Sequence, residues 1–238
     1  RRAPRPSEAA FPGGVRLEPR FEGADGRLDT AYRDFHEFLK SVGLPADGAF
    51  PIRTRRAAGG PRESFRVAVG ESGCDLSAPD TEGIRRGLVW LEDELLKRGG
   101  PFLPLGAVRR RPFVRTRLSR CFYGPVNRPP KCKDELADGV DYYPEAYLDR
   151  LAHQGVNGLW MTVHFFQTVP SRIIPEYGRG AAPRLAKLRR VIDKCGRYGI
   201  RIYPFCIEPA AFNWPYPEVR AAFKAHPDLH GNNEVAFC

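Results

Sequence analysis

Two apolar runs of strand length, at 156–164 and 200–209, enclose a stretch whose apolar positions recur with helical period. Val163, Ile200, Ile202 and Ile207 are β-branched, which suits strands. Between the runs, at 183–198, Leu185, Leu188, Val191, Ile192 and Cys195 fall along one face, with Arg184, Lys187, Arg190 and Lys194 largely off it. Gly199 then supplies a helix stop. Strand, one-faced helix and strand make a βαβ unit, so the pattern predicts a parallel sheet. A single glycine precedes each strand, Gly155 before the first and Gly199 before the second. The links that leave the strands are long, with 18 residues between His164 and Pro183. Parallel α/β folds bind ligands at the carboxyl ends of their strands, so a site belongs in these loops.

The rest of the chain divides at Pro112. Residues 1–14 are rich in Pro, Gly and Arg and read as a disordered lead. A strand is predicted at 15–21. Leu28, Ala31, Tyr32, Phe35, Phe38, Leu39 and Val42 then take helical spacing and end at Gly43, with His36 and Glu37 on the solvated side. A strand at 50–56 follows, then an antiparallel pair at 63–69 and 73–78 around a glycine-bounded turn. Asp80 or Thr81 can cap a helix that buries Ile84, Leu88, Leu91 and Leu95 and stops at Gly99-Gly100. A last strand is read at 102–108. Residues 15–111 thus form a small α+β domain without catalytic spacing, a supporting domain. Beyond it, 114–121 reads as a strand with Val114, Thr116 and Leu118 on one face and Arg115, Arg117 and Ser119 on the other. A Gly/Pro/Asn-rich loop leads to a helix at Pro144-Glu145 with Tyr147, Leu148, Leu151 and Ala152 inward. Adding the two runs above and a short helix at 217–226 gives three successive strand–loop–helix units. Their strands are expected side by side.

Composition narrows the function classes. A chain of 238 residues that is 42% hydrophobic and 11% aromatic supports a real core. The net charge of +10 raises nucleic acid as a partner, but the arginines are dispersed and no helix carries a basic stripe beside stacking aromatics, so no such partner is expected. The six cysteines form no CxxC pair, so neither a zinc site nor a disulfide framework is indicated, and Cys195 reads as a buried free thiol. No apolar run reaches the ~18 residues of a membrane span. Gly178-Arg-Gly180 lacks the spacing of a phosphate-binding loop, which argues against a nucleotide-binding domain and any cofactor. Compartment and oligomeric state stay open.

Two stretches carry a resemblance. Ala78-Pro-Asp-Thr-Glu-Gly-Ile-Arg-Arg-Gly-Leu-Val-Trp-Leu91 is similar to the helix of the small α+β domain that precedes the barrel in the family 20 glycoside hydrolases, the β-N-acetylhexosaminidases. The order Pro112…Arg117, Tyr147-Leu-Asp-Arg-Leu-Ala-His-Gln-Gly-Val-Asn-Gly-Leu159 and Tyr198-Gly-Ile-Arg-Ile-Tyr-Pro204 resembles the opening strands of that family's (β/α)8 TIM barrel. The resemblance implies an α/β chain in which the supporting domain is followed, over 112–238, by the first part of a barrel, truncated. A complete barrel needs eight strands and about 250 residues.

It further implies that Arg117, by its spacing from Pro112, contacts sugar hydroxyls. This chain has His164-Phe165-Phe166-Gln167 where the family places an acid after its second strand, and a single Glu208 where the family's third strand ends in two acids. The family's Asp-Glu catalytic pair follows the fourth strand, which this chain does not reach, so no catalytic residue is expected here. Asp134-Glu135 lies in a loop before a helix and is expected to be solvated. The loops beyond the strands offer Tyr123, Phe165, Phe166 and Trp214 as flat faces beside Arg117, Asn127, His164, Gln167, Glu208 and Asn213. Arg117, His164, Glu208, Asn213 and Trp214 are the expected substrate-binding residues, with Arg117, His164 and Glu208 converging on one cavity. The expected function is part of a glycoside hydrolase acting on O-glycosidic bonds of β-N-acetylhexosaminide type, with carbohydrate as partner. A non-catalytic sugar-binding or scaffold module is the alternative.

Overall fold

The computed structural model describes residues 2–121, 125–126, 133–206 and 217–229. The chain forms two compact units, Arg1–Thr116 with Asp149–Gly155 and Gly196–Gly199, and Arg117–Leu148 with Val156–Cys195 and Ile200–Cys238. In chain order the first holds β1 (Glu8–Ala10), β2 (Val15–Arg20), α1 (Asp29–Ser41), β3 (Phe50–Arg56), β4 (Phe65–Gly70), β5 (Gly73–Ala78), α2 (Thr81–Arg98), β6 (Phe102–Pro104) and β7 (Gly106–Arg110). Five of these strands form one sheet in the order β2-β3-β5-β4-β7. β2, β3 and β5 run parallel, and β4 is antiparallel to both β5 and β7.

Alternation along the strands puts Val15, Leu17, Ile52, Val67, Val69, Cys74 and Leu76 on one buried face. Onto it pack Ala31, Phe35 and Leu39 of α1 and Ile84, Leu88, Leu91 and Leu95 of α2, as the helical spacing predicted. Asp80 caps α2, accepting from the Gly83 N–H at 2.8 Å. His36 and Glu37 are exposed, as expected.

The N-terminal segment is not a disordered lead. Glu8–Ala10 pairs antiparallel with β6, and Ala9 and Phe11 are buried, Phe11 stacking on Phe50 at 4.6 Å between centroids. The Glu8 carboxylate accepts from Arg2 and from the Arg5 N–H, which hold its pKa down at about 2. An apolar pair at alternating positions thus outweighs a composition that reads as disorder. The strand expected at 102–108 is also two strands, because Gly106 takes φ of 105° and turns the chain from β6, paired with β1, to β7, paired with β4.

In chain order the remaining elements are β8 (Leu118–Arg120), β9 (Pro125–Val126), β10 (Lys133–Asp134), α3 (Glu145–His153), β11 (Gly158–Val163), α4 (Phe165–Thr168), α5 (Ala181–Gly196), β12 (Arg201–Cys206) and α6 (Pro217–Ala225). β9 and β10 form a small antiparallel pair. β8, β11 and β12 are parallel and lie side by side in chain order, as the loop asymmetry predicted. β8 is shorter than the strand expected at 114–121, since only Leu118–Arg120 finds a ladder partner. Cys195 is a buried free thiol, and burial pushes its pKa up to about 12. No helix among the described residues is long and apolar enough to cross a membrane.

Candidate functional site

Register decides which side chains meet on the parallel sheet. Gly158 pairs with Leu118 and Arg201, Trp160 with Arg120 and Tyr203, and Thr162 with Phe205. Paired residues in a ladder point to the same face, so these eight share one side. The other side carries Leu159, Met161 and Val163, all buried. Gly158 is required at its position, because a Cβ there would overlap Leu118 and the Tyr203 ring. The Arg120 guanidinium lies over the Trp160 ring at 4.8 Å, and the Phe205 ring meets Trp160 edge-on at 5.0 Å. Arg120 and Phe205 are exposed, and Trp160 and Tyr203 half-buried. The face therefore carries three flat rings, with the Arg120 guanidinium stacked over one of them.

Arg117 is not part of it. Its N–H donates to Asn157 Oδ1 at 2.8 Å, and its carbonyl accepts from the Asn157 N–H at 3.1 Å. The Asn157 carbonyl accepts in turn from the Arg201 N–H at 3.1 Å, so Asn157 links all three strands at their amino ends. His164 follows the last residue of β11, at the carboxyl end. The six residues of β11 lie between the two levels, about 20 Å at ~3.3 Å per residue. Arg117 and His164 therefore do not converge. Arg120, with the same parity as Leu118, is the arginine that β8 places on the ring-bearing face. The alternation along 114–120 carried that signal, but the level at which β8 meets its neighbour did not show in it. Glu208, Asn213 and Trp214 lie outside the described residues, as do Tyr123 and Asn127.

At the carboxyl end of β11, His164 is buried and precedes α4, its carbonyl accepting from Thr168 Oγ1 at 2.9 Å. The next turn brings Gln167 to a cavity of about 240 Å³ lined also by Phe166, Glu176, Arg179, Arg184 and Ala221. Gln167 is 3% exposed, and neither its Nε2 nor its Oε1 has a hydrogen-bond partner among the described residues. A buried amide without a partner is costly. Two of its neighbours are already engaged: Arg184 with Asp134 at 3.1 Å and Glu176 with His226 at 3.1 Å.

Asp134 and Glu135 are buried rather than solvated. Asp134 holds Arg184 through Oδ2 and caps the Leu136 N–H through Oδ1 at 3.0 Å. Glu135 accepts from the buried Tyr143 hydroxyl at 3.2 Å, and burial pushes the Tyr143 phenol well above its ordinary value. Both carboxylates tie the loop down.

In the first unit, Asp34, Glu92 and His153 bring three ligating atoms within 4.8 Å of one another, a spacing that can hold a metal ion. The same geometry is met by a proton. His153 Nε2 stands 3.0 Å from both Asp34 Oδ2 and Glu92 Oε2, with Nδ1 at 2.9 Å from the Asp149 carbonyl. The two carboxylates push the His153 pKa up to about 11, so the imidazolium itself fills the position between them.

No protein-family model matches this chain, and no curated protein matches its sequence. Solved structures do match its fold. A GH138 enzyme targeting pectin rhamnogalacturonan II superposes with a TM-score of 0.65 at 15% identity, over 89% of this chain and 26% of its own. A β-N-acetylhexosaminidase from Bacteroides fragilis gives 0.55 at 16% identity, over 96% of this chain and 46% of its own. The GH20 chitobiase of Flavobacterium johnsoniae gives 0.57 at 16% identity, over 93% and 34%. The chain thus spans less than half the length of each of these three. At such identities the likeness is one of fold.

Proposed function

We propose that this chain is part of a glycoside hydrolase, with an α+β supporting domain over 15–111 and the opening strands of a (β/α)8 barrel over 112–238. Its substrate is a glycan joined by O-glycosidic bonds, of β-N-acetylhexosaminide type, and the acids that cleave the bond are supplied outside these 238 residues. The carrying observation is the parallel sheet β8-β11-β12 with Arg120, Trp160, Tyr203 and Phe205 on one face. The fold shared with the β-N-acetylhexosaminidases and the pectin-targeting enzyme supports this reading. In it, the Tyr203 and Phe205 rings meet the pyranose, while Arg120, stacked on Trp160, and the Gln167 amide bond hydroxyls near the carboxyl ends of the strands. His164, Glu208, Asn213 and Trp214 belong to the same loops by their place in the chain. Arg117 does not.

The test uses the longer enzyme and an aryl β-N-acetylglucosaminide. The longer enzyme should turn over and the 238-residue chain alone should not. Arg120→Met lowers kcat/KM by about tenfold or more, since a charged hydrogen bond is worth ~1.5–3 kcal/mol. Arg117→Met leaves it within about twofold. A longer protein that binds the sugar without turnover selects the non-catalytic module instead.

A further inference from the structure

The exposed face of the five-stranded sheet carries a transverse row of arginines. Following the register across the sheet, Arg20 pairs with Arg55, Arg55 with Ser77, Ser77 with Arg66 and Arg66 with Arg109. Each strand contributes one residue, all on the side away from the helices, and four of the five are arginine. The adjoining positions of the same face hold Arg16, Glu18, Arg53 and Asp75. Six arginines thus stand against two carboxylates.

Glu18 accounts for three of the six, meeting Arg16, Arg20 and Arg53 at 3.0, 2.5 and 3.4 Å. Arg55, Arg66 and Arg109 have no carboxylate partner among the described residues. Arg66 and Arg109 are also direct cross-strand neighbours, and like charges placed directly opposite destabilise a sheet. A surface without a ligand gains nothing from that juxtaposition. At this end the row enters a cavity of about 440 Å³ lined by Ser77, Arg66 and Arg109 together with Arg110, Arg111, Gly59 and Gly60. Gly59 and Gly60 line it without side chains, and Phe65, the aromatic residue of its lining, is buried.

We propose that this row and cavity bind an acidic glycan, a polysaccharide whose carboxylate or sulfate groups fall one per few ångströms along an extended chain. Adjacent strands stand ~4.8 Å apart, so Arg66 and Arg109 stand one strand step apart, close to one pyranose residue, and Arg55 two steps from Arg66 across Ser77. A guanidinium is a rigid fork of donors matched to a carboxylate or sulfate. The choice of glycan over nucleic acid rests on the glycosidase reading and on the face itself, whose paired positions carry no aromatic side chain for bases to stack on.

Polygalacturonate, dextran sulfate, unsubstituted dextran and duplex DNA serve as probes with the 238-residue chain, by affinity electrophoresis at low salt. The chain is retarded by polygalacturonate or dextran sulfate, the stronger of the two naming the anion, and the retardation fades as salt rises. The double variant Arg66→Gln/Arg109→Gln loses about tenfold or more in affinity. It keeps its Tm, because the change removes a repulsion from an exposed face. Arg55→Gln weakens binding in the same direction, and Arg16→Gln, already paired with Glu18, stays within about twofold. Undiminished binding by the double variant, equal retardation by unsubstituted dextran, or tightest binding to DNA overturns the proposal. None of these outcomes bears on turnover of the aryl glycoside, so the two readings fail separately.

Discussion

Arg85 is 3% exposed, and its guanidinium reaches four acceptors. It donates to Thr30 Oγ1 at 3.1 Å, to the Arg27 carbonyl at 2.9 Å and to the Arg197 carbonyl at 2.8 Å, and it pairs with Glu82 at 3.3 Å. Removing one partner of a buried charged network strands the others, so Arg85→Met costs about 3 kcal/mol, read as a lowered urea midpoint. His153 gives a pH signature. Its folded pKa of about 11 lies above the ordinary 6.5, so its contribution is complete below that ordinary value and is lost as pH rises toward the folded one. Burial also pushes the Glu92 carboxyl up, an effect of the same sign, while Asp34 and Asp149 complete the acidic surroundings. Between about pH 7 and pH 10 the Tm of the wild type should fall more steeply than that of His153→Gln. Parallel curves would show that the imidazolium does not tie the cluster together.

At the scale of elements, α2 shows how a helix end is fixed by its surroundings. Asp80 accepts from the Gly83 N–H and, at 3.0 Å, from the Glu63 N–H, so one carboxylate caps the helix and pins the preceding loop. Asp80→Ala should cost about 1–2 kcal/mol in chemical denaturation, and Asp80→Asn clearly less. α1, α2 and α5 were legible because each presents one apolar face with stop signals at its ends. The parallel order of β8, β11 and β12 was legible in the short glycine links. What the sequence could not show depends on distant partners. Burial of Asp134 and Glu135 needs Arg184, 50 residues on, and Tyr143. The level of β8 depends on the Asn157 side chain, which sets Leu118 rather than Arg117 as the first ladder residue. The split of the strand at 102–108 turns on the positive φ of Gly106, and a glycine within an apolar run reads equally well as part of a strand.

For the molecule as a whole, open sheet edges and exposed apolar groups set the behaviour in solution. Among the described strands β8 and β12 each pair on one side only, and Leu118 and Phe205 are 47% and 43% exposed. Unpaired edges beside apolar side chains recruit other strands. The isolated 238-residue chain should therefore self-associate with rising concentration, read by light scattering after size-exclusion chromatography. A monomer across the accessible range would mean that these edges are covered. The pairing of β1 with β6 has a consequence in time. Glu8 meets Pro104 and Ala10 meets Phe102, so β1 docks on a strand synthesised long after it. Until Pro104 emerges, the edge of β1 is unpaired, and closing so long a loop is slow. During synthesis β1 stays without its ladder partner through nearly the whole of this unit, an interval that a chaperone would have to cover.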